Sequence, residues 1–429
     1  MYAGISVFDI TPPRGLCLMG YARPPRPNQG AHDPLRGLGL YLRSGDTEAV
    51  VVSLDLLYVG QEVCEAVYRG VMETAGIPAE NVFICATHTH SAPRAYLPLD
   101  DALTPEEKDY MSSLSLSIVR AVASAKKDSF PAKAAIRETV CGAEAGVGGN
   151  RDVRGGIADP RLGLLCVWDE TNALRAVLAN YALHPTLLRE DNLLCSADFP
   201  GCMRAHIEKE IPGCAAGFLQ GASGDQSTRY FRRGNRFEEA ERIGLALAHA
   251  ALSEIQKAPC DAADDLHISH RSLPVRLRAF PPENALLSMV AEKTAEYEKM
   301  ASRGDAMAAH EAKLAMYGAE CKLQYARALN RARSRYEHLH AHVRALRLGD
   351  NCLVGVMGEC FAEYGLAVKA LSGARITLFS TLTGGALPGY VCTPQAYARG
   401  GYEPDASMLD ETFGLSLSDA AVACARSLF

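Results

Sequence analysis

Short, unbroken apolar strings alternate with helix-length stretches along this chain, and several strings stop at a histidine, a glutamate or a glycine-rich polar loop. Residues 49–57 (AVVVSLDLL) and 81–87 (NVFICAT) read as buried strands, the second running straight into His88. Residues 162–169 and 173–182 read as two strands around a turn at 169–172, with His184 just beyond. Residues 215–219 form another apolar strand, followed at once by QGASGDQSTR. Residues 343–348 and 352–357 read as a hairpin around Gly349-Asp350-Asn351, and Glu359 follows its second strand. Helix candidates lie at 62–75, 104–127, around 201–210 and at 416–429, with Pro105 placed for a first turn. Buried strands separated by helices predict an α/β fold, a mixed β-sheet core flanked by helices.

Residues 282–340 differ in texture, being rich in Ala, Glu, Lys, Arg, Leu and Met. They predict two long helices meeting near 302–305, a helical hairpin inserted in one catalytic unit spanning 1–429. A scaffold packed on the core, a lid and an interaction arm are all open roles for it. With 429 residues, 48% hydrophobic and 22% charged, the chain is a globular one. Forty-four Lys and Arg against 50 Asp and Glu give a net charge of −6, which argues against nucleic-acid binding and a polybasic membrane patch. The fourteen cysteines include no C-x-x-C pair, so a zinc ribbon is unsupported and reduced, buried thiols are expected. The N-terminus lacks a signal-peptide pattern, and no apolar run approaches the roughly 20 residues of a membrane span. A cytoplasmic protein is expected.

Four strings carry residues suited to chemistry. Thr87-His88-Thr89-His90-Ser91-Ala92-Pro93 sets two histidines at a strand end, where neutral imidazole is a good zinc ligand and a hydrogen-bonded loop histidine is the alternative. His184, held stiffly before Pro185, also ends a strand. Glu359 after Gly358 suits an oxygen ligand, a general base or a solvated loop. In residues 221–228, Ser227 or Ser223 suits a nucleophile, and Asp225 a base or a partner for a histidine; helix capping by Ser227 or Asp225 is the simpler reading. G-x-S-x-G, phosphate-loop and H-E-x-x-H motifs are absent. His338 and His342 have helical i, i+4 spacing, and with His267, His270 and His340 they read as a solvated face.

Taken together, these strings resemble the neutral (non-lysosomal, alkaline) ceramidase family, in a short form similar to its N-terminal catalytic domain. The resemblance rests on GISVFDITPP at 4–13, MGYA at 19–22, THTHSAP at 87–93 and Asn150-Arg151. It continues with His184-Pro185-Thr186, Gly224–Ser227 as G-D-x-S, Gly358-Glu359, and YVCTPQAY at 390–397 followed by G-Y-E. It implies a zinc-dependent amidohydrolase in which His88, His184, Glu359 and Tyr390 bind Zn2+ and zinc-bound water attacks an N-acyl amide. His90 and Arg151 would stabilise the oxyanion, and Ser227 matches the family's catalytic serine. Tyr390, His90 and Asp198 are candidates for the acid that protonates the leaving amine. The expected partner is a small-molecule amide, with N-acyl lipids among the candidates. The chain departs from the pattern where Ser-Thr-Arg replaces Ser-Pro-Asn after the serine, and where Gly384-Gly385-Ala386 replaces the Asn before the tyrosine string. A metal-independent serine hydrolase using Ser227 and a non-catalytic binding protein are the competing readings.

Overall fold

The computed structural model describes residues 1–21, 25–97, 99, 102–257 and 262–429, residue 306 by its backbone alone. The first half of the chain builds a sheet of eight strands. These are β1 (Tyr2–Asp9), β2 (Arg36–Ser44), β3 (Thr47–Leu54), β4 (Val82–Ala86) and β5 (Phe130–Val140). The two-residue β6 (Gly149–Asn150) lies apart, and β7 (Arg161–Asp169), β8 (Leu174–Tyr181) and β9 (Ala215–Gln220) complete the sheet. Its order is β4-β3-β2-β1-β5-β7-β8-β9. The central pairs are antiparallel, whereas β3–β4 and β8–β9 at the two ends are parallel. A parallel pair needs a crossover. Helix α1 (Gln61–Ala75) supplies it between β3 and β4. Helix α2 (Pro105–Lys127) starts at a capping box in which Thr104 and Glu107 satisfy each other's backbone N–H groups. Helix α3 (Asp198–Glu210) lies in the crossover between β8 and β9, and α4 (Phe237–Ile255) follows.

The two-residue β10 (Gln226–Ser227) pairs with β6. A second sheet then forms from β11 (Leu266–Pro274), β12 (His340–Leu348), β13 (Asn351–Val356) and, after the two-residue β14 (Glu359–Cys360), β15 (Thr377–Ser380). The last strand, β16 (Tyr390–Val391), lies parallel to β14. Between β11 and β12 run α5 (Glu283–Ser302), α6 (Ala306–Arg331) and the short α7 (Arg333–Glu337). Helix α8 (Ala362–Leu371) joins the parallel β13 and β15. Helices α9 (Pro394–Arg399), α10 (Tyr402–Asp405) and α11 (Phe413–Arg426) finish the chain.

Side-chain alternation shows how the layers stack. Leu38, Leu40 and Leu42 of β2, Val51 of β3 and Leu165 and Val167 of β7 share one core with Leu346, Leu353 and Leu378 of the second sheet. The two sheets therefore pack face to face. The opposite face of the large sheet carries α1 and α2 at one end, against Val50, Val52 and Ile84, and α3 and α4 at the other, against Leu164 and Cys166. The outer face of the second sheet carries α8 and α11. The expected mixed α/β architecture is thus present, as helix–sheet–sheet–helix layers. No described helix is long and apolar enough to cross a membrane.

Helices α5 and α6 meet at a tight turn, where Asp305 accepts hydrogen bonds from Met307 N and Ala308 N (3.1 and 3.0 Å). Helix α6 crosses α10 at Gly318, where a Cβ would stand 3.1 Å from the Asp405 Cβ. One expectation is corrected here: His340 and His342 lie on β12 and His338 just before it, not on one helix. Their period is two, set by buried Ala341, Val343 and Ala345 between them and beyond.

Candidate active site

Three parallel pairs, β3–β4, β8–β9 and β13–β15, direct their C-terminal ends toward one region, and the candidate residues come from the segments that leave them. This is where α/β sheets collect ligand sites. Beyond β4, His88 adopts φ +72°, a left-handed backbone that is costly for a side chain and concentrated at functional sites. Beyond β8 stands His184, whose backbone N–H donates to Gln226 O (3.1 Å). Beyond β13, Gly358 takes φ +84° and turns Glu359 inward. Glu359 is 3% exposed, and in the β14–β16 pair it lies directly opposite Tyr390.

The imidazole tautomers follow from their partners. His88 Nδ1 faces the Leu57 carbonyl at 3.0 Å, and His184 Nδ1 faces the Ser223 carbonyl at 2.6 Å. Each Nδ1 is thus the N–H donor, leaving each Nε2 a bare lone pair. Those two Nε2 atoms are 3.0 Å apart, and Glu359 Oε2 is 3.2 and 3.1 Å from them. Three acceptors converge on one point with no proton among them. The His184 pKa is pushed down to about 3 by burial, with the Arg151 charge adding to it. Buried acceptors facing one another are unfavourable without a cation between them. A metal-ligating histidine donates its other N–H in this way, often to a carbonyl.

His90 closes one side. Both its ring nitrogens are buried without a hydrogen-bond partner among the described residues. Its ring stands edge-on to His88 and Tyr21, centroids 5.0 and 5.1 Å away. Burial, then His88 and His184, push its pKa well below the ordinary value, so the ring is neutral. The ligand atoms of His88, His90 and His184 lie within 4.8 Å of one another. On the other side the Arg151 guanidinium donates to Glu403 Oε1 (2.8 Å) and the Tyr390 hydroxyl (3.2 Å). Burial and then Glu359 raise the Tyr390 pKa well above its ordinary value.

Ser227 lies near this group through the β6–β10 pair, which sets it opposite Gly149, two residues before Arg151. Its Oγ accepts from Arg229 N (3.1 Å) and makes no hydrogen bond to an imidazole among the described residues. A serine nucleophile needs a base within reach. Asp225 is not the partner of a histidine: its oxygens accept from Asn150 Nδ2 (2.9 Å) and Ala362 N (2.8 Å), tying β6 to the start of α8. Asp198 is also engaged elsewhere, by Leu188 N (3.1 Å) and Phe199 N (2.6 Å).

Two participants escaped the sequence reading. Tyr58 donates a short hydrogen bond to Glu359 Oε1, and no motif surrounds it. Glu403, which pairs with Arg151, sits in the G-Y-E string, a signal that carried no role. Gly20, in the MGYA string, has φ +101°, and a Cβ there would collide with the His90 ring.

A layered α/β body with a buried imidazole–carboxylate centre has clear counterparts among known proteins. In fold the chain is similar to the crystal structure of neutral ceramidase from Pseudomonas aeruginosa, with a TM-score of 0.78 and 19% identity over 100% of this chain and 74% of that one. It is equally similar to a ceramidase complexed with C2, with a TM-score of 0.77, 19% identity and coverage of 100% and 75%. In sequence it is 24% identical over 307 residues to the neutral ceramidase of Mycobacterium tuberculosis (strain ATCC 25618 / H37Rv), 63% of this chain and 48% of that protein. The match spans about half the length of that curated relative. No protein-family model matches. The chain is thus similar to neutral ceramidases in fold and, over 63% of its length, in sequence, as its motifs indicated.

Proposed function

We propose that this chain is a zinc-dependent amidase cleaving an N-acyl amide, with residues 1–429 as one catalytic unit and the 282–340 hairpin inserted in it. The observation that carries this reading is the convergence of His88 Nε2, His184 Nε2 and Glu359 Oε2 within 3.0–3.2 Å of one another, with both Nδ1 atoms turned to carbonyls. Two imidazoles and a carboxylate suit zinc. His88, His184, Glu359 and Tyr390 would hold it. When bound, zinc polarises the amide carbonyl and lowers the pKa of water. The names of the related proteins point to ceramide-like amides as the first substrates to try.

The chain's own residues supply the rest. Neutral His90, with both nitrogens unpartnered, can bond the substrate oxygen or take a proton and return it to the departing amine. Arg151 is oriented by Glu403 and Tyr390, which engage two of its five N–H groups and leave others for developing negative charge. A donor aimed at an oxyanion is worth about 3 kcal/mol, a hundredfold or more in kcat. Ser227 would line the same pocket and position substrate.

The test is metal content by mass spectrometry on protein purified without added metal, beside His184→Ala and Glu359→Gln, with hydrolysis of N-acyl amides read in parallel. Near-stoichiometric zinc in the parent, reduced at least tenfold in both variants together with activity, is expected. Full amide turnover by metal-free protein would overturn the reading.

A further inference from the structure

Beside the centre, on the side facing α6, lies a concentration of positive charge that the amidase reading does not use. Arg189 follows the His184 segment, Arg229 and Arg232 follow Ser227, and His310 and Lys313 lie one turn apart on α6. Arg229 Nη1 donates to the Arg151 carbonyl at 2.9 Å, which fixes its distance from the site. The Tyr230 hydroxyl approaches the same carbonyl at 3.4 Å. Arg189 and Arg232 both act electrostatically with Tyr21, the ring that stands against His90. Arg229 therefore borders the Arg151 side of the candidate centre, and the charges of Arg189 and Arg232 are felt at Tyr21 beside His90.

Its charges are poorly balanced. One carboxylate, Glu190, lies among them; it binds Lys313 Nζ at 2.8 Å and reaches Arg189 Nε at 3.7 Å. Glu403 and Asp152 act on Arg229 from the other side, but Glu403 already pairs with Arg151. The Arg232 guanidinium makes no hydrogen bond or ion pair with any described residue, though it is half-buried. Arg189, Arg229, Arg232 and Lys313 thus outnumber Glu190 and Asp152, the carboxylates that act on them besides the already paired Glu403, in a chain whose net charge is −6. Burial and then Arg229, Arg189, Arg232 and Lys313 push the His310 imidazole down to about 4, which reports the same field. Half-buried cations are retained at a desolvation cost that a bound anion would offset. Arg229 is also one of the positions at which the chain departs from the ceramidase pattern.

We propose that Arg189, Arg229, Arg232 and Lys313 form a subsite for an oxyanion on the substrate, so that the preferred amides carry a carboxylate or phosphate. Arginine suits both, through paired N–H donors. The proposal rests on the amidase reading, and the experiment separates the two. Zinc-loaded protein is given neutral N-octanoylethanolamine, N-octanoylglycine, N-octanoyl-O-phosphoethanolamine, and N-hexylglutaramic acid, whose carboxylate lies on the acyl side. At least one anionic probe is expected to exceed the neutral one tenfold in kcat/KM. In Arg232→Gln and in Arg189→Gln that advantage should fall below threefold, with turnover of the neutral probe unchanged. Which anion leads, and on which side of the amide, assigns the ligand. Neutral turnover equal to or above all three, or an advantage that survives both substitutions, would overturn the subsite. Cleavage of none of the four would instead sink the amidase reading. The subsite would then be judged by calorimetry on metal-free protein: N-octanoylglycine tenfold tighter than N-octanoylethanolamine in the parent but not in Arg232→Gln supports it, and equal affinities overturn it.

Discussion

Glu359 is useful as a ligand only if its two oxygens do different things. Oε2 turns to the paired Nε2 atoms while Oε1 takes the Tyr58 proton. Burial and then Glu359 raise the Tyr58 pKa well above its ordinary value, so it stays a donor. Removing that donor in Tyr58→Phe leaves the apolar packing and frees the carboxylate to rotate. A loss of about 10–100-fold in zinc affinity is expected, as for other partners of metal ligands. Competition titration with a chromophoric chelator measures it; unchanged affinity would show that Tyr58 does not orient the carboxylate. Asp198 makes a separate prediction about pH. Burial raises its pKa to about 6, against the backbone N–H groups of Leu188, Phe199 and Leu187, which lower it. Below about pH 4 the carboxyl is protonated in folded and unfolded chains alike. As pH rises from 4 to 6 the unfolded chain ionises first, so stability falls, by about 3 kcal/mol in all at 1.36 kcal/mol per pKa unit. Asp198→Asn keeps an acceptor and tolerates the left-handed φ of +57° at this residue. Its denaturation free energy should therefore fall less between pH 4 and 7 than the parent's, whatever its constant offset. Equal slopes would contradict the assignment.

At the scale of elements, the site depends on a two-residue parallel pair. β14 and β16 bring Glu359 opposite Tyr390 because Gly358 can take φ +84°. An alanine there would be strained and would place Cβ 2.9 Å from Leu387 Cδ1 and 3.0 Å from Val391 Cγ2. Gly358→Ala is expected to cost about 1–3 kcal/mol in stability and to lower zinc content more than stability alone explains. Thermal unfolding and metal analysis on the same sample check it; a parent-like zinc content would free Glu359 from this hinge. That pairing was not legible in the sequence, since two-residue strands 31 positions apart have no period. Other elements were. β4, β7, β9 and β13 are largely apolar strings, buried on both faces, and β8 is buried except at Arg175; all fall within a few residues of where the sequence strings lie. By contrast β1 and β5 give little apolar signal. In β1, Gly4 leaves room for α2, whose Ala125 carbonyl a Cβ would strike. In β5, PAKAA replaces the usual branched residues. His88, His184 and Glu359 were findable because each follows a readable strand. Tyr58 and the α6 side of the cation cluster were not, because only tertiary packing brings them near.

The whole molecule is two sheets joined at one face, and the candidate ligands come from both. His88 and His184 extend β4 and β8 of the large sheet, while Glu359 extends β13 of the second and Tyr390 pairs beside it. A cation held by these four would cross-link the sheets at the end where three parallel pairs converge. Without it, the same end carries facing acceptors that repel. Binding and stability are then linked: free zinc at 100 times its Kd adds about 2.7 kcal/mol to the folded state. With an unfolding entropy of about 2.1 cal/mol/K per residue, a cooperative melt of a chain this size should rise by about 3 °C. The rise should grow with zinc concentration and fall away in His184→Ala. Hydrogen exchange sharpens the test, because a cross-link slows opening at the strand ends, around residues 54–58, 86–90 and 356–360, more than in the helices on the outer faces. Protection gained uniformly, or gained equally in His184→Ala, would mean that zinc acts elsewhere on the chain, and the two sheets would be held by their shared leucine and valine core alone.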